Sequence, residues 1–265
     1  MIAKKTWIEL RGMGLAYQLL LILQLLPAVL LWPDLRRGGS ALTNMMPAEF
    51  LKDIFRQVMQ DDADPAYLAY MAVQLFFKGV NIVGIAAAVL VGTGLIARER
   101  ENQTLEFLLS RPVSRSAVLW NKFWVAALIV TIPIFLGNLV AVPLSLIPSV
   151  DQDLPIDRVL LGSFHNAAFC LLVLALTTLF SIFARAQVHA AFWIGALVIS
   201  QVAIYFIQEI RVASLFRLSD FDIYGPIMSG SASFGYVFEH YTLWVLLGAL
   251  AVYIAADRLF QRIRP

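Results

Sequence analysis

Six long runs of apolar residues, separated by short polar segments, constrain this chain more than any other feature of its sequence. They lie near residues 13–32, 71–97, 117–147, 159–183, 188–208 and 241–257. A helix needs about 17 to 25 apolar residues to cross a bilayer, and each run is long enough. Lipid offers the backbone no hydrogen-bonding partner, and the runs do not alternate as barrel strands do. The sequence therefore predicts an all-α integral membrane protein with six transmembrane helices.

Composition supports a single membrane domain over residues 1–265. Hydrophobic residues make up 60% of the chain, whereas soluble domains have about 45 to 50%. No loop is long enough for a separate soluble domain of ordinary size. The first run exceeds a signal-peptide core and has no small-residue cleavage site after Trp32, so we expect it to remain in the mature protein.

Basic residues are distributed unevenly between the two sets of segments outside the runs. One set, which includes both termini and residues 98–115, has twelve Lys and Arg against five Asp and Glu, a net charge of +7. The other set has seven against thirteen, a net charge of −6, and Lys78 lies within a run. Because basic segments stay in the cytoplasm, we expect both termini and residues 98–115 to be cytoplasmic. The pattern gives no support for nucleic-acid binding.

Three segments outside the runs are patterned as helices at a membrane surface. Residues 2–12 mix cations with apolar residues, which fits either a helix in the headgroup layer or a basic flank that anchors the first span. A second amphipathic helix, behind Pro47 and expected to be extracytoplasmic between spans 1 and 2, has apolar residues at helical spacing: Phe50, Leu51, Ile54, Phe55, Val58 and Met59. Residues 209–218 predict a short interfacial helix, followed by irregular backbone up to residue 240.

Small residues recur every four positions in the second run, at Gly84, Ala88 and Gly92. This spacing places them in one column on a helix, where a second helix can approach closely. The column predicts a packing face, either within the subunit or across a dimer.

The segment from Glu101 to Arg115 presents an organised face to water. Leu105, Leu108 and Leu109 lie at i, i+3, i+4 spacing among polar residues, which predicts an amphipathic helix from Glu101 onward. Pro112 ends this helix, because the residue before a proline is disfavoured in the helical region.

This segment resembles the first cytoplasmic loop of the membrane subunits of ABC-2-type exporters, which reads roughly E-x-x-x-G-T-L-E-x-L-L-S-x-P-V-S-R. The chain departs from that pattern at Asn102-Gln103, where a small residue or glycine is usual, and at Asn121-Lys122, where Gly-Lys is frequent. The resemblance implies a permease in the cytoplasmic (inner) membrane of a prokaryote, with an N-terminal elbow helix before the first span. It also implies a second permease copy, two copies of an ABC ATPase subunit, and a cytoplasmic coupling helix between spans 2 and 3 where the ATPase docks. The residues that would carry coupling are Glu101, Thr104, Leu105, Glu106, Leu108, Leu109, Ser110, Pro112 and Arg115, with the leucines in a groove of the ATPase and the charges at its rim.

Motifs for nucleotide or metal chemistry are missing from the sequence. A P-loop requires Gly-Lys followed by Ser or Thr, but the five lysines follow Ala3, Lys4, Leu51, Phe77 and Asn121. We therefore expect no cofactor and no catalytic residue in this chain, with ATP and Mg²⁺ bound by the partner ATPase. Cys170 is the single cysteine, and no metal site is predicted.

Polar residues within spans are costly and are candidates for function. Lys78, Asn81, Asn138 and His165 are the candidates for the pathway, the first three as a polar patch at similar depth. Lys78 can either reach the headgroups or face a central cavity. No second histidine lies one turn from His165, which favours a packing role over a ligand role.

Other classes of membrane protein fit less well. His-Glu-x-x-His and Gly-x-Ser-Gly motifs for an intramembrane protease are absent. A secondary transporter usually has two related halves and acidic residues within its spans, and neither is seen. A permease-like subunit that moves lipids or lipoproteins, or drives an extracytoplasmic partner, remains compatible with the sequence. Nothing in the sequence selects a substrate.

Overall fold

The described part of the chain is built from helices, six of them long and apolar enough to span a membrane. The computed structural model describes residues 2–35, 63–110 and 112–263, and these ranges contain no strand. The six spans are Ile2–Leu30, Ala66–Glu101, Arg115–Ser145, Ile156–Phe183, Gln187–Phe206 and Phe234–Arg262. The predicted all-α fold with six membrane helices is confirmed. The predicted amphipathic helix at residues 50–59 lies outside the described residues.

The first span is one unbroken helix that also contains residues 2–12, for which the sequence left open a helix in the headgroup layer or a basic flank. The elbow helix that the resemblance implies stays a prediction. One face of this helix is buried along its whole length because suitable residues recur every three or four positions: Thr6, Leu10, Gly14, Tyr17, Leu21, Leu25 and Val29. That face packs against the third span. Continuous packing of this kind explains why no bend separates the basic flank from the span.

The second and sixth spans extend beyond their predicted limits. The second begins as an α-helix, Ala63–Ala72, continues as a π-helix, Val73–Gly84, and returns to an α-helix at Ile85–Thr93. The sixth begins at Phe234, where the Ser233 side chain caps the helix. Polar residues in its first turns lower the local hydropathy, so the sequence predicted a later start for this span.

The fourth span is the central helix of the bundle. It packs against the second, third, fifth and sixth spans. Its most apolar stretch is 72% buried, whereas that of the fifth span is 17% buried. The column of small residues in the second span faces it: a Cβ on Gly92 would lie 2.8 Å from the Thr177 Cβ, and one on Gly84 would lie 3.0 Å from the Cys170 Sγ. The predicted packing face is therefore confirmed, and it lies within the subunit.

The segment between the fifth and sixth spans is more ordered than its sequence suggested. Instead of an interfacial helix over 209–218, it has two short 3₁₀ turns, Arg211–Ala213 and Leu215–Ser219. The α-helix that follows, Phe221–Ser229, is called here the connecting helix, and it occupies residues that were expected to be irregular. Capping residues at both ends explain why this helix forms. The Asp220 carboxylate accepts the backbone N–H of Phe221, and Gly230 adopts a φ of +79°, which is typical of a glycine after the end of a helix.

The two sets of segments distinguished by charge gather at opposite ends of the bundle. We call them the basic end and the acidic end. At the basic end Lys5 contacts Glu99 and Arg100 contacts Ala184, which joins the N-terminus to the ends of the second and fourth spans. At the acidic end Arg158 contacts Met228, which joins the start of the fourth span to the connecting helix.

Labelling with a membrane-impermeant thiol reagent tests which end is cytoplasmic. Gln103 lies at the basic end and Ser231 at the acidic end, and both are exposed. In a Cys170→Ala background, we expect Ser231→Cys to react in intact cells and Gln103→Cys to react only after permeabilisation, because the basic end should face the cytoplasm. The reverse pattern would invert the predicted orientation.

Candidate functional site

A buried carboxylate lies where the second span meets the loop at the basic end. The side chain of Glu99 is 7% exposed. Its Oε1 accepts hydrogen bonds from Lys122 Nζ at 2.7 Å and from Lys5 Nζ at 3.0 Å. Thr104 binds it twice, through its hydroxyl to the Glu99 carboxylate and through its backbone N–H to the Glu99 carbonyl at 2.9 Å. One side chain thus connects the first, second and third spans with the loop.

Lys122 is the strongest partner of this carboxylate. Its side chain is 4% exposed, so both members of the pair have left water. Removing one member of a buried pair leaves the other charge without compensation, which is costly. The pair therefore fixes the end of the second span to the third span, provided that both charges are present.

Two of the predicted coupling residues hold the ends of neighbouring spans. A Glu101 carboxylate oxygen accepts the backbone N–H of Gln187 at 3.0 Å, at the start of the fifth span. Arg115 donates to the carbonyls of Phe260, at 3.4 Å, and of Ile263, at the end of the sixth span. An anion at a helix start and a cation at a helix end also complement the helix dipoles. Both side chains therefore bind inside the subunit.

The loop helix is shorter than its sequence predicted. A turn follows Glu101, with Gln103 at a φ of 56°, a conformation that a right-handed helix excludes. The helix runs only over Leu105–Leu109, and Ser110 caps its C-terminus before Pro112. The predicted stop is confirmed, but the predicted start at Glu101 is wrong, because a left-handed residue intervenes.

The apolar face of the loop helix is covered by the subunit itself. Leu105 and Leu108 are buried, and Leu105 belongs to the main core of the bundle. Leu109 packs against that core from a partly buried position. Within the subunit Leu105 and Leu108 are therefore not exposed. Their contact with a groove of the ATPase, which the resemblance implies, stays a prediction. Outward-facing positions on and after the helix are exposed instead: Glu106, Phe107, Ser110, Pro112 and Val113.

The family comparison covers most of the chain. The family described as ABC-2 family transporter protein matches residues 6–220, which include all but the first four residues of span one, spans two to five and the whole loop. The chain belongs to the ABC-2 family of transporter proteins. As an ABC-2 permease it is a multi-pass membrane protein, the membrane component of an ABC transporter, and not the catalytic component. No curated protein matches the chain.

Two of the polar residues within the spans of this permease form buried bonds between helices. The Asn138 side chain donates to Ser163 Oγ at 3.0 Å. The His165 ring bonds Thr242 Oγ1 at 3.0 Å through Nδ1 and the Leu218 carbonyl at 2.9 Å through Nε2. These side chains pack helices together inside one subunit, as was expected for His165.

Asn81 belongs to a buried network below the connecting helix. Its side chain donates to the Ser219 carbonyl at 2.8 Å and accepts from Ser219 Oγ at 2.7 Å. The hydroxyl groups of Ser219 and Tyr224 lie 2.6 Å apart. Burial raises the pKa of Tyr224, so its hydroxyl stays protonated. Among the four candidate pathway residues only Lys78 is exposed, and the three predicted to form one patch do not share a surface.

Glu99 is the residue that sequence reasoning missed. Its two lysine partners, Lys5 and Lys122, are distant in sequence, so no short motif identifies the ion pairs. A signal was available at its position, since helical spacing from the buried span predicts an inward-facing residue there.

Proposed function

We propose that this ABC-2 permease is the pathway-forming subunit of an exporter in the cytoplasmic membrane of a prokaryote. Two copies form the pathway, and two copies of a separate ATPase subunit drive it. ATP and Mg²⁺ bind to the ATPase, because no lysine of this chain follows a glycine as a P-loop requires. The observation that carries this proposal is the loop helix, which is anchored on one side and exposed on the other.

The anchored side supplies the mechanical connection. Leu105 fixes the helix to the core, Leu108 is buried beside it, and Thr104 fixes the preceding turn to Glu99. Movement of the loop helix is passed through these contacts to the first three spans, as a rigid-body displacement. In this proposal the buried leucines transmit force and do not contact the ATPase.

The exposed side supplies the docking surface. Phe107 is 67% exposed and Val113 is 41% exposed, on the water side of the basic end. Glu106, Ser110 and Pro112 lie around them and are exposed. An aromatic residue with a polar rim is typical of the centre of a protein interface. Of the predicted coupling residues, we therefore assign direct contact to Glu106, Ser110 and Pro112, and anchoring to the others.

Co-purification tests whether ATP hydrolysis belongs to a separate subunit, as proposed. An affinity-tagged permease from its native host should retain a separate ATP-binding subunit, and the mixture should hydrolyse ATP. The permease freed of that subunit should have no activity, and adding the subunit back should restore it. ATP turnover by the permease alone, in preparations without detectable contaminants, would contradict the proposal.

A further inference from the structure

A largely apolar cavity of about 610 Å³ lies at the acidic end of the bundle. It is bounded by the third and fourth spans and by the segment that links the connecting helix to the sixth span. Its walls are aromatic and aliphatic: Phe135, Leu160, Leu161, Phe164, Ile227 and Phe234. Small-molecule pockets typically have about 300 to 1,000 Å³, so the cavity has the size of a ligand site.

The polar and apolar parts of the cavity are separated by depth. Asp157 and Arg158 lie in the first turn of the fourth span, which begins at Ile156, and both line the cavity. Phe164 lies eight residues beyond Ile156 on the same helix, or about 12 Å further along its axis. The two charges therefore lie at the end of the span, where headgroups are expected, and the Phe164 ring lies deeper, toward the acyl chains.

Arg158 is oriented toward the cavity by the end of the connecting helix. Its Nη1 donates to the Met228 carbonyl at 2.7 Å. Its guanidinium packs over Gly230, where an added Cβ would lie 2.6 Å from Nη2. A guanidinium has five N–H donors, and Met228 is its one hydrogen-bond acceptor within the described residues.

Asp157 supplies a negative charge beside the positive charge of Arg158. Its side chain is exposed at the cavity mouth, and it forms no salt bridge with Arg158 within the described ranges. Two adjacent, opposite charges that do not pair with each other can each bind one charge of a zwitterion.

We infer that this cavity binds one zwitterionic phospholipid from the leaflet at the acidic end. The lipid phosphate accepts charge-assisted hydrogen bonds from Arg158, and its ammonium group lies against Asp157. One acyl chain occupies the phenyl-lined part, where apolar surface is removed from water and headgroups. This site does not depend on the ATPase or on the transported substrate.

Native mass spectrometry of the delipidated permease tests the inference, with phosphatidylethanolamine as the probe. One lipid should bind tightly, and phosphatidylglycerol, which lacks the ammonium group, should bind roughly tenfold more weakly, as expected for the loss of one charge-assisted hydrogen bond. Asp157→Asn should reduce that preference, whereas Arg158→Gln should weaken binding of both lipids. Soluble glycerophosphoethanolamine, which has no acyl chain, should not bind.

A matched pair of tryptophan variants separates the cavity from ordinary lipid contact. Leu160→Trp fills the cavity and should abolish the tight site. Leu136→Trp changes an exposed leucine of the third span outside the cavity lining and should leave the site unchanged. The inference is overturned if both variants bind like the wild type, if both lose binding equally, or if phosphatidylglycerol and phosphatidylethanolamine bind alike. Unchanged elution on size exclusion shows that the variants are folded.

Discussion

Replacing Glu99 by glutamine is expected to destabilise the permease by about 3 to 5 kcal/mol, because it leaves the Lys122 ammonium group buried without its counter-charge. Glutamine keeps the size and the hydrogen bond to Thr104 but not the charge. The effect should appear as a lower unfolding temperature in detergent and a lower yield of folded protein. Among single changes that remove a charge at the basic end, we expect this one to be the most damaging.

Three further variants identify the buried pair as the cause. Glu99→Gln combined with Lys122→Met removes both charges and should recover most of the lost stability. Lys5→Met should cost only about 0 to 1 kcal/mol, since the side chain of Lys5 is 47% exposed. Glu106→Gln removes an exposed carboxylate of the same loop and should have little effect. If Glu99→Gln melts at the temperature of the wild type, the pair does not hold the spans together.

Replacing Phe107 by aspartate should weaken binding of the ATPase by about 2 to 4 kcal/mol, or roughly thirty- to a thousandfold. The exposed ring provides apolar area for the interface, and a carboxylate there would lose its hydration without a partner. Immobilised permease variants and purified ATPase allow the affinity to be measured directly, and transport should fall with it. Because the Phe107 side chain is 67% exposed, the change should lower the unfolding temperature far less than a change of a buried leucine of the same helix.

Two further variants show whether the loss of ATPase binding is specific to position 107. Val212→Asp alters a residue that is 84% exposed at the acidic end, and it should bind the ATPase normally. Leu108→Asp places a carboxylate in the core and should fail at the level of folding. ATPase binding by Phe107→Asp at wild-type affinity would show that this face of the loop helix is not the docking surface.

The sequence predicted the membrane fold well because burial in lipid leaves a strong local pattern. Each of the six apolar runs became a spanning helix. The column formed by Gly84, Ala88 and Gly92 became a packing face, since small residues at this spacing allow helices to approach. Both inferences depend on residues close to one another in the chain.

The candidate site was predicted less well, because amphipathic periodicity shows which face of a helix is apolar but not what covers it. Leu105 and Leu108 were assigned to a partner, yet both are buried within the subunit itself. Glu99 and Lys122 were not paired, since their relation arises only when the second and third spans pack together. The connecting helix was missed although Asp220 and Gly230, which end it, are ordinary capping residues.

Close contacts at glycines join the second and fourth spans along their whole length. Besides Gly84 and Gly92, Gly162 lies under the Phe76 ring, where an added Cβ would be 2.3 Å from a ring carbon. Helices this close, with steric contact near both ends and in the middle, cannot slide past one another. A displacement applied at the basic end must therefore move the central fourth span together with the second. These two spans are therefore expected to move as one stiff unit, so that any rearrangement of the subunit takes place at the boundaries of this pair and not between its two helices.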